Sequence, residues 1–336
     1  MKLSILIVNW NSKDYLRECL RSIRSTCAGL SPQVVVVDGG SFDGCAEMLA
    51  AEFPEADFIQ SAENLGFGRS NNLGFAKVTG DTLLLLNPDT ELRPGAVKAL
   101  IETLQQQPDA ALIGARLLNS DGSLQYSSVH PLPTPWNIAL DSDWTRRRWW
   151  KKHAHAKDIG SFEVEAVSGA CMLLKSETFR QLGGFDPRYF MYAEDMDLCF
   201  RIRKFEMKVY HQPQAVVLHH GGGSSRTQFS KFSAVMIREA VRVYIDTHHG
   251  RGQVLLHRAL MALSATARLL ALTPLWLLST GDRRSARRVV LLKWIAVFRW
   301  ALGLEDWAAA RFESPLLPTP LISDDAPTRK PSGVSI

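Results

Sequence analysis
The chain has 336 residues, 46% hydrophobic and 22% charged, which excludes wholesale disorder, a collagen-like repeat and a small disulfide scaffold and leaves room for one large α/β domain with an appendage. The formal charge of +5 is unevenly divided: residues 1–225 hold 23 Lys/Arg against 26 Asp/Glu, whereas residues 226–300 hold 13 against 3. That basic stretch points to an anionic partner, either nucleic acid or a membrane surface.

Runs of Val, Leu and Ile at 3–8, 34–37 and 83–86 predict buried strands of a mostly parallel sheet with crossover helices. Ser12 stands where it would cap the first helix, whose Leu16, Cys19, Leu20 and Ile23 share a face, and Pro94 where it would open a later one. Residues 119–162, with prolines, histidines and a basic aromatic block at 144–152, lack periodicity and read as an excursion from the sheet. A strand at 170–174, a helix capped by Ser176 and ended by Gly183 and Gly184, a helix from Glu194 through Arg203, and a strand at 215–218 complete a domain over 1–228.

Residues 229–312 predict helices only, at 235–247, 254–272 and 285–302. Their uncharged stretches, 259–267 and 269–281 with Pro274 inside the second, fall short of the ~20 apolar residues of a membrane span. Basic amphipathic helices lying in a membrane interface are the expectation, with a soluble bundle as the alternative. Residues 313–336 carry five prolines and few large apolar residues and read as a disordered tail. The five cysteines form no CxxC or Cys/His cluster, and the amino terminus enters a strand directly with no leader-like segment. Free thiols and a cytoplasmic location are expected.

The predicted strands end in polar loops: Asn9-Trp10-Asn11, Asp38-Gly39-Gly40-Ser41 and Asn87-Pro88-Asp89-Thr90. Ligands of parallel sheets gather at such carboxyl ends, although any one loop is also an ordinary turn. Asp89 suffices for a hard cation if a diphosphate supplies the remaining oxygens. Glu194, Asp195 and Asp197 crowd one helix start, where they either satisfy the helix dipole or include a general base. His219 and His220 precede a glycine run, and a neutral imidazole there suits a divalent metal. Within residues 64–74, Arg69 and Asn72 either hydrogen-bond a nucleotide or brace the loops. No dinucleotide fingerprint, Walker loop, GxSxG or HExxH is present.

Taken in order, SILIVNWN (4–11), VVVVDGGSFDG (34–44), ENLGFGRSNNLG (63–74), LLLLNPDTEL (83–92), the segment 169–203 with its AEDMD, and LHHGGGS (218–224) resemble the family 2 inverting glycosyltransferases, in particular a bacterial rhamnosyltransferase-like subgroup. The resemblance covers about residues 3–245 and implies a GT-A fold, α/β and Rossmann-like with a mostly parallel central sheet, followed by an all-helical appendage. It implies a nucleotide-sugar pocket at Asn9, Asn11, Asp38, Arg69, Asn72 and Asn87. Asp89 and His219 would hold Mg2+ or Mn2+, and Asp195 would act as base with Glu194 beside it. Asn87 stands where the broader pattern has a first Asp, and Gly39 where it more often has Asn.

The implied reaction moves a sugar, with dTDP-rhamnose as the first donor to test, to a lipid-linked or polysaccharide acceptor. UDP- and GDP-sugars are the alternative donors. A peripheral position on the anionic inner face of the cell membrane follows from the basic helices. A nucleic-acid-binding protein is the competing reading, disfavoured because the arginines interleave with apolar faces and no nucleic-acid module is present. A glycoside hydrolase would need a second facing acid and no metal.

Overall fold
The computed structural model describes residues 2–142, 160–221 and 231–312, with Thr145 and Arg148 between the first two stretches. The basic block at 144–152, apart from those two residues, the glycines after Gly221 and the tail at 313–336 lie outside the described residues.

Four parallel strands, β1 (Leu3–Asn9), β2 (Gln33–Asp38), β3 (Asp57–Gln60) and β4 (Thr82–Leu86), are joined by α1 (Lys13–Thr26), α2 (Cys45–Glu52) and α3 (Phe67–Phe75). The chain continues through β5 (Thr90–Leu92), α4 (Ala96–Gln106), β6 (Ala110–Leu118), β7 (Val129–His130), α5 (Pro135–Ala139), β8 (Phe162–Val164) and β9 (Ala166–Val167). Next come β10 (Cys171–Lys175), α6 (Ser176–Gln181), α7 (Glu194–Lys204) and β11 (Lys208–His219). The main sheet has the order β3-β2-β1-β4-β10-β6-β11-β5, with β8 also on β11. Because β10 is antiparallel to both β4 and β6, strands β1, β2, β4, β6 and β11 all point the same way. Their carboxyl ends share one edge with the start of β10.

The central strands are buried on both faces, which explains their unbroken aliphatic runs: every residue of β4 is below the surface. Polar content hid the other strands. β11 begins at Lys208 rather than at the expected 215, because its first half reads KVYHQPQ and a register shift between Gln212 and Val216 interrupts its pairing with β6.

Three caps differ from expectation. The Ser12 hydroxyl donates to the Trp10 carbonyl and makes no side-chain cap. Ser176 is the first residue of α6, and its hydroxyl donates to the Gly80 carbonyl across the sheet end. Helix α4 starts at Ala96 behind left-handed Gly95, so Pro94 shapes the entry turn and not the first helical turn. All five cysteines are free and buried, and burial pushes the thiols of Cys19, Cys45 and Cys199 up to about 12.

Beyond residue 230 come α8 (Lys231–His249), α9 (Arg251–Leu277), α10 (Gly281–Ala301) and α11 (Asp306–Phe312). They share a core with the segment leading into α7: Tyr189, Phe190 and Ala193 pack with Val235, Tyr244 and Trp300. His248 Nε2 also lies 2.7 Å from Asp197, whose other oxygen accepts from Arg201. The helices therefore back the sheet domain directly. Helix α9 passes through Pro274 without ending, and by length and composition this one helix among the described residues is long and apolar enough to cross a membrane. The window that meets this test runs across Arg268, whereas the uncharged stretch on either side of it is shorter.

Candidate active site
The first cluster joins the ends of β1 and β2, where Asn9 and Asp38 are register partners and fully buried. Asp38 accepts hydrogen bonds from Asn9 Nδ2 at 2.8 Å, Ser41 Oγ at 2.6 Å, the Ser41 amide at 2.8 Å and the Cys45 thiol at 3.2 Å. Burial would raise its pKa, but the donors from Ser41, Asn9 and Cys45 outweigh burial and hold the carboxyl below its usual range. The result is a fixed negative charge. Asn9 Oδ1 is buried with no partner among the described residues. Asn11, left-handed at φ 49, ties the two loops together: its Oδ1 accepts from the Phe42 amide at 3.0 Å and its own amide donates to Ser41 Oγ at 2.7 Å.

The second cluster joins β4 to β11. Pairing of β5 with β11 sets Thr90 opposite His219 and brings His219 Nε2 to 3.3 Å from Asp89 Oδ1 and 3.5 Å from Asn87 Nδ2. His219 Nδ1 lies 2.6 Å from Gln125 Oε1. The Gln125 amide nitrogen is committed to Asn119 Oδ1 at 3.1 Å, so its oxygen faces the ring and can only accept. With the Nδ1 hydrogen donated to Gln125, Nε2 is the ring atom left to meet Asp89 or a cation between them. Asn87 Oδ1, buried beside this pair, has no partner among the described residues. Adjacent ligands of an octahedral cation of the Mg2+ type, each at about 2.1 Å, stand about 3.0 Å apart, so an imidazole nitrogen and a carboxylate oxygen at this separation fit one cation. No group of three or more His, Cys, Asp or Glu gathers among the described residues, and a Mg2+-type ion commonly completes its shell with substrate phosphate oxygens and water.

The third cluster is the start of α7. Tyr192 and Ala193 both have left-handed backbones, φ 70 and 62, and deliver Glu194 and Asp195 into the first turn. Asp195 Oδ2 accepts from the Gly169 amide and Oδ1 from the Met196 amide, each at 2.8 Å. The next carbonyl, that of Ala170, accepts from the Asn87 amide at 3.0 Å. Gly169 and Ala170 thus couple Asp195 to the second cluster through two residues. Glu194 is buried, and one of its carboxylate oxygens lacks a partner among the described residues. Burial, reinforced by Asp195 and Asp197, pushes its carboxyl well above the usual range.

Two residues assigned to the nucleotide pocket are engaged with the loop that leads to Asp195. Asn72 is spent on Phe185, donating to its carbonyl at 2.7 Å and accepting from its amide at 2.9 Å, and is buried. Arg69 Nε donates to the Pro187 carbonyl at 2.7 Å. Both brace the loop that leads to Asp195. Gly66 completes the brace: at φ +80, a Cβ there would stand 2.0 Å from the Phe190 carbonyl oxygen. Gly66→Ala is accordingly expected to lower stability by about 3 kcal/mol, measured by denaturant unfolding, and a loss below about 1 kcal/mol would show that the loop yields.

Gln125 and Gly169 escaped the sequence reading. Gln125 lies in the aperiodic stretch and meets His219 across 94 residues; Gly169 matters through its amide, which no side-chain pattern reports. Gln125→Leu is expected to weaken divalent-cation binding in the presence of a nucleoside diphosphate by about 10–100-fold, read by Mn2+ titration. Unchanged affinity would remove Gln125 from the orienting role.

A model of glycosyl transferase family 2 matches residues 4–183. The chain belongs to glycosyl transferase family 2. Family 2 relatives include an N-acetylglucosaminyl-diphospho-decaprenol L-rhamnosyltransferase of Mycobacterium tuberculosis, 27% identical over 79% of this chain and 94% of the relative. The rhamnosyltransferase WbbL of Escherichia coli is 24% identical over 68% of this chain and 86% of its own. Among solved structures, a mannosyltransferase of Pyrobaculum calidifontis, in complex with GDP-Man and Mn2+, covers 90% of this chain and 86% of its own with a TM-score of 0.58 at 13% identity. That likeness gives the fold, which is GT-A. The family 2 chain is thus a glycosyltransferase whose three clusters line one sheet edge.

Proposed function
We propose that the enzyme inverts a sugar centre in one displacement, with Asp195 as the base that takes the proton from an acceptor hydroxyl. The observation that supports this reading is the Gly169–Ala170 link, which ties Asp195 to the Asn87 end of β4, two residues before Asp89. Each Asp195 oxygen is held by a single backbone amide and retains a lone pair for a proton. Asp89 and His219 would hold Mg2+ or Mn2+, which when bound neutralises charge developing on a diphosphate leaving group. Asn9 and Asp38, buried together at the ends of β1 and β2, would meet the N–H and O–H donors of a base or ribose seated at that edge.

The donor proposed is dTDP-rhamnose and the acceptor a hydroxyl of a lipid-linked sugar in cell-surface glycan synthesis. The names of the mycobacterial and Escherichia coli relatives support rhamnose as the sugar, and the mycobacterial name supports a lipid-diphosphate-linked acceptor. The test is transfer of radiolabelled sugar from dTDP-rhamnose, UDP-glucose or GDP-mannose to a prenyl-diphosphate-linked N-acetylglucosamine, with and without Mn2+. Rhamnose transfer alone is expected; transfer from only one of the other donors would overturn the donor assignment, and no transfer from any, with free nucleotide sugars left intact, would overturn the acceptor class.

A further inference from the structure
Helix α9 presents an apolar face that the other described residues leave open. Leu255, Leu263, Leu270 and Leu277 recur along one side with relative exposures of 72%, 68%, 73% and 60%, and Leu278 beyond them reaches 85%. Exposed Ala259, Ala267 and Pro274 fill the intervening turns. The opposite side, with His257, Met261 and Ala265, is buried in the helical core. From Leu255 to Leu277 this face runs about 33 Å at the α-helical rise.

Between Leu255 and Leu277 the charges of the helix avoid that face, and the exposed Arg251 precedes it at the helix start. The Arg258 guanidinium stands 5.4 Å over the Trp300 ring, and that of Arg268 stands 4.2 Å over Trp294 while donating to the Ala139 and Asp141 carbonyls. Both turn toward the protein's own helices. A soluble surface helix places its charges outward. Here the outward side is apolar and the basic groups collect past the turn, where Arg283, Arg284 and Arg288 are exposed and Arg284 covers Trp276 at 5.1 Å.

We infer that the outer face of α9 and the arginine-bearing start of α10 dock onto one leaflet of an anionic bilayer, with α9 lying in the plane of the headgroup–acyl boundary. Leucines on one side and arginines with tryptophan at the end are the chemistry of such a surface. Although α9 has the length to cross, α10 folds back against it and carries Arg283, Arg284, Arg287, Arg288, Lys293 and Arg299. A crossing would take these charges into hydrocarbon, which is strongly disfavoured. The docking does not rest on the catalytic reading, and a chain with Asp195→Asn docks equally well.

Vesicle flotation of the full chain tests the proposal, with phosphatidylcholine vesicles compared to vesicles that also contain phosphatidylglycerol. Binding to the anionic vesicles, released by high salt, is expected. Arg283→Gln with Arg284→Gln should lower the partition coefficient about 30-fold. Leu263→Glu with Leu270→Glu should abolish binding while the melting temperature, set by the unaltered inner face, stays within a few degrees of the parent. Binding unaffected by the leucine changes would overturn the proposal, as would extraction only by detergent, which marks a crossing helix. A dimer in light scattering that the leucine changes dissolve, without vesicle binding by the parent chain, would assign the face to a second copy and also overturn it.

Discussion
Asp195→Asn is expected to lower turnover by about 10²–10⁴-fold while nucleotide-sugar affinity stays within a few-fold of the parent. The side chain keeps its shape but loses its basicity. Its two oxygens now accept from Gly169 and Met196, so an amide must turn its NH2 group toward one of those N–H donors. That mismatch costs about 1–3 kcal/mol of local stability, and the melting temperature should fall accordingly. The combination separates the base from a structural role: a purely structural Asp195 would lose stability with little change in turnover per folded molecule. Turnover within about tenfold of the parent would remove Asp195 from the proton transfer.

The second large effect concerns the Asp89–His219 pair. Asp89→Ala and His219→Ala should each weaken Mn2+-dependent binding of a nucleoside diphosphate by about 100-fold, and the double variant should be little worse than either. Non-additivity is the informative part. Two groups 3.3 Å apart that serve one ion lose a shared function once either is gone, whereas two groups acting separately on substrate lose free energies that add. Calorimetric titration of nucleotide with and without Mn2+ distinguishes the cases. Fully additive losses that persist without metal would show that the pair touches the ligand directly and holds no ion.

Much of this site was readable because the chain itself announces strand ends. An aliphatic run followed by Asn, Asp or Gly places a polar group at the sheet edge whatever the strand order, and Asn9, Asp38, Asn87 and Asp89 all follow that rule. What remained hidden depends on contacts far apart in sequence. The motif around Arg69 and Asn72 has the polar, glycine-rich look of a ligand loop, yet its hydrogen bonds reach Phe185 and Pro187, more than 100 residues away. Gln125 sits in a stretch whose shape depends on its neighbours in space. Composition likewise marked the basic helices but not their faces, since only packing reveals that Arg258 and Arg268 turn inward.

The left-handed pair Tyr192–Ala193 sets the rotational phase of α7. One residue added between Ala193 and Glu194 would move Asp195 one position on, about 100° around the helix axis, away from Gly169 and the sheet edge. The two left-handed residues mark where the helix begins, so that insertion is expected to cost turnover more than it costs stability.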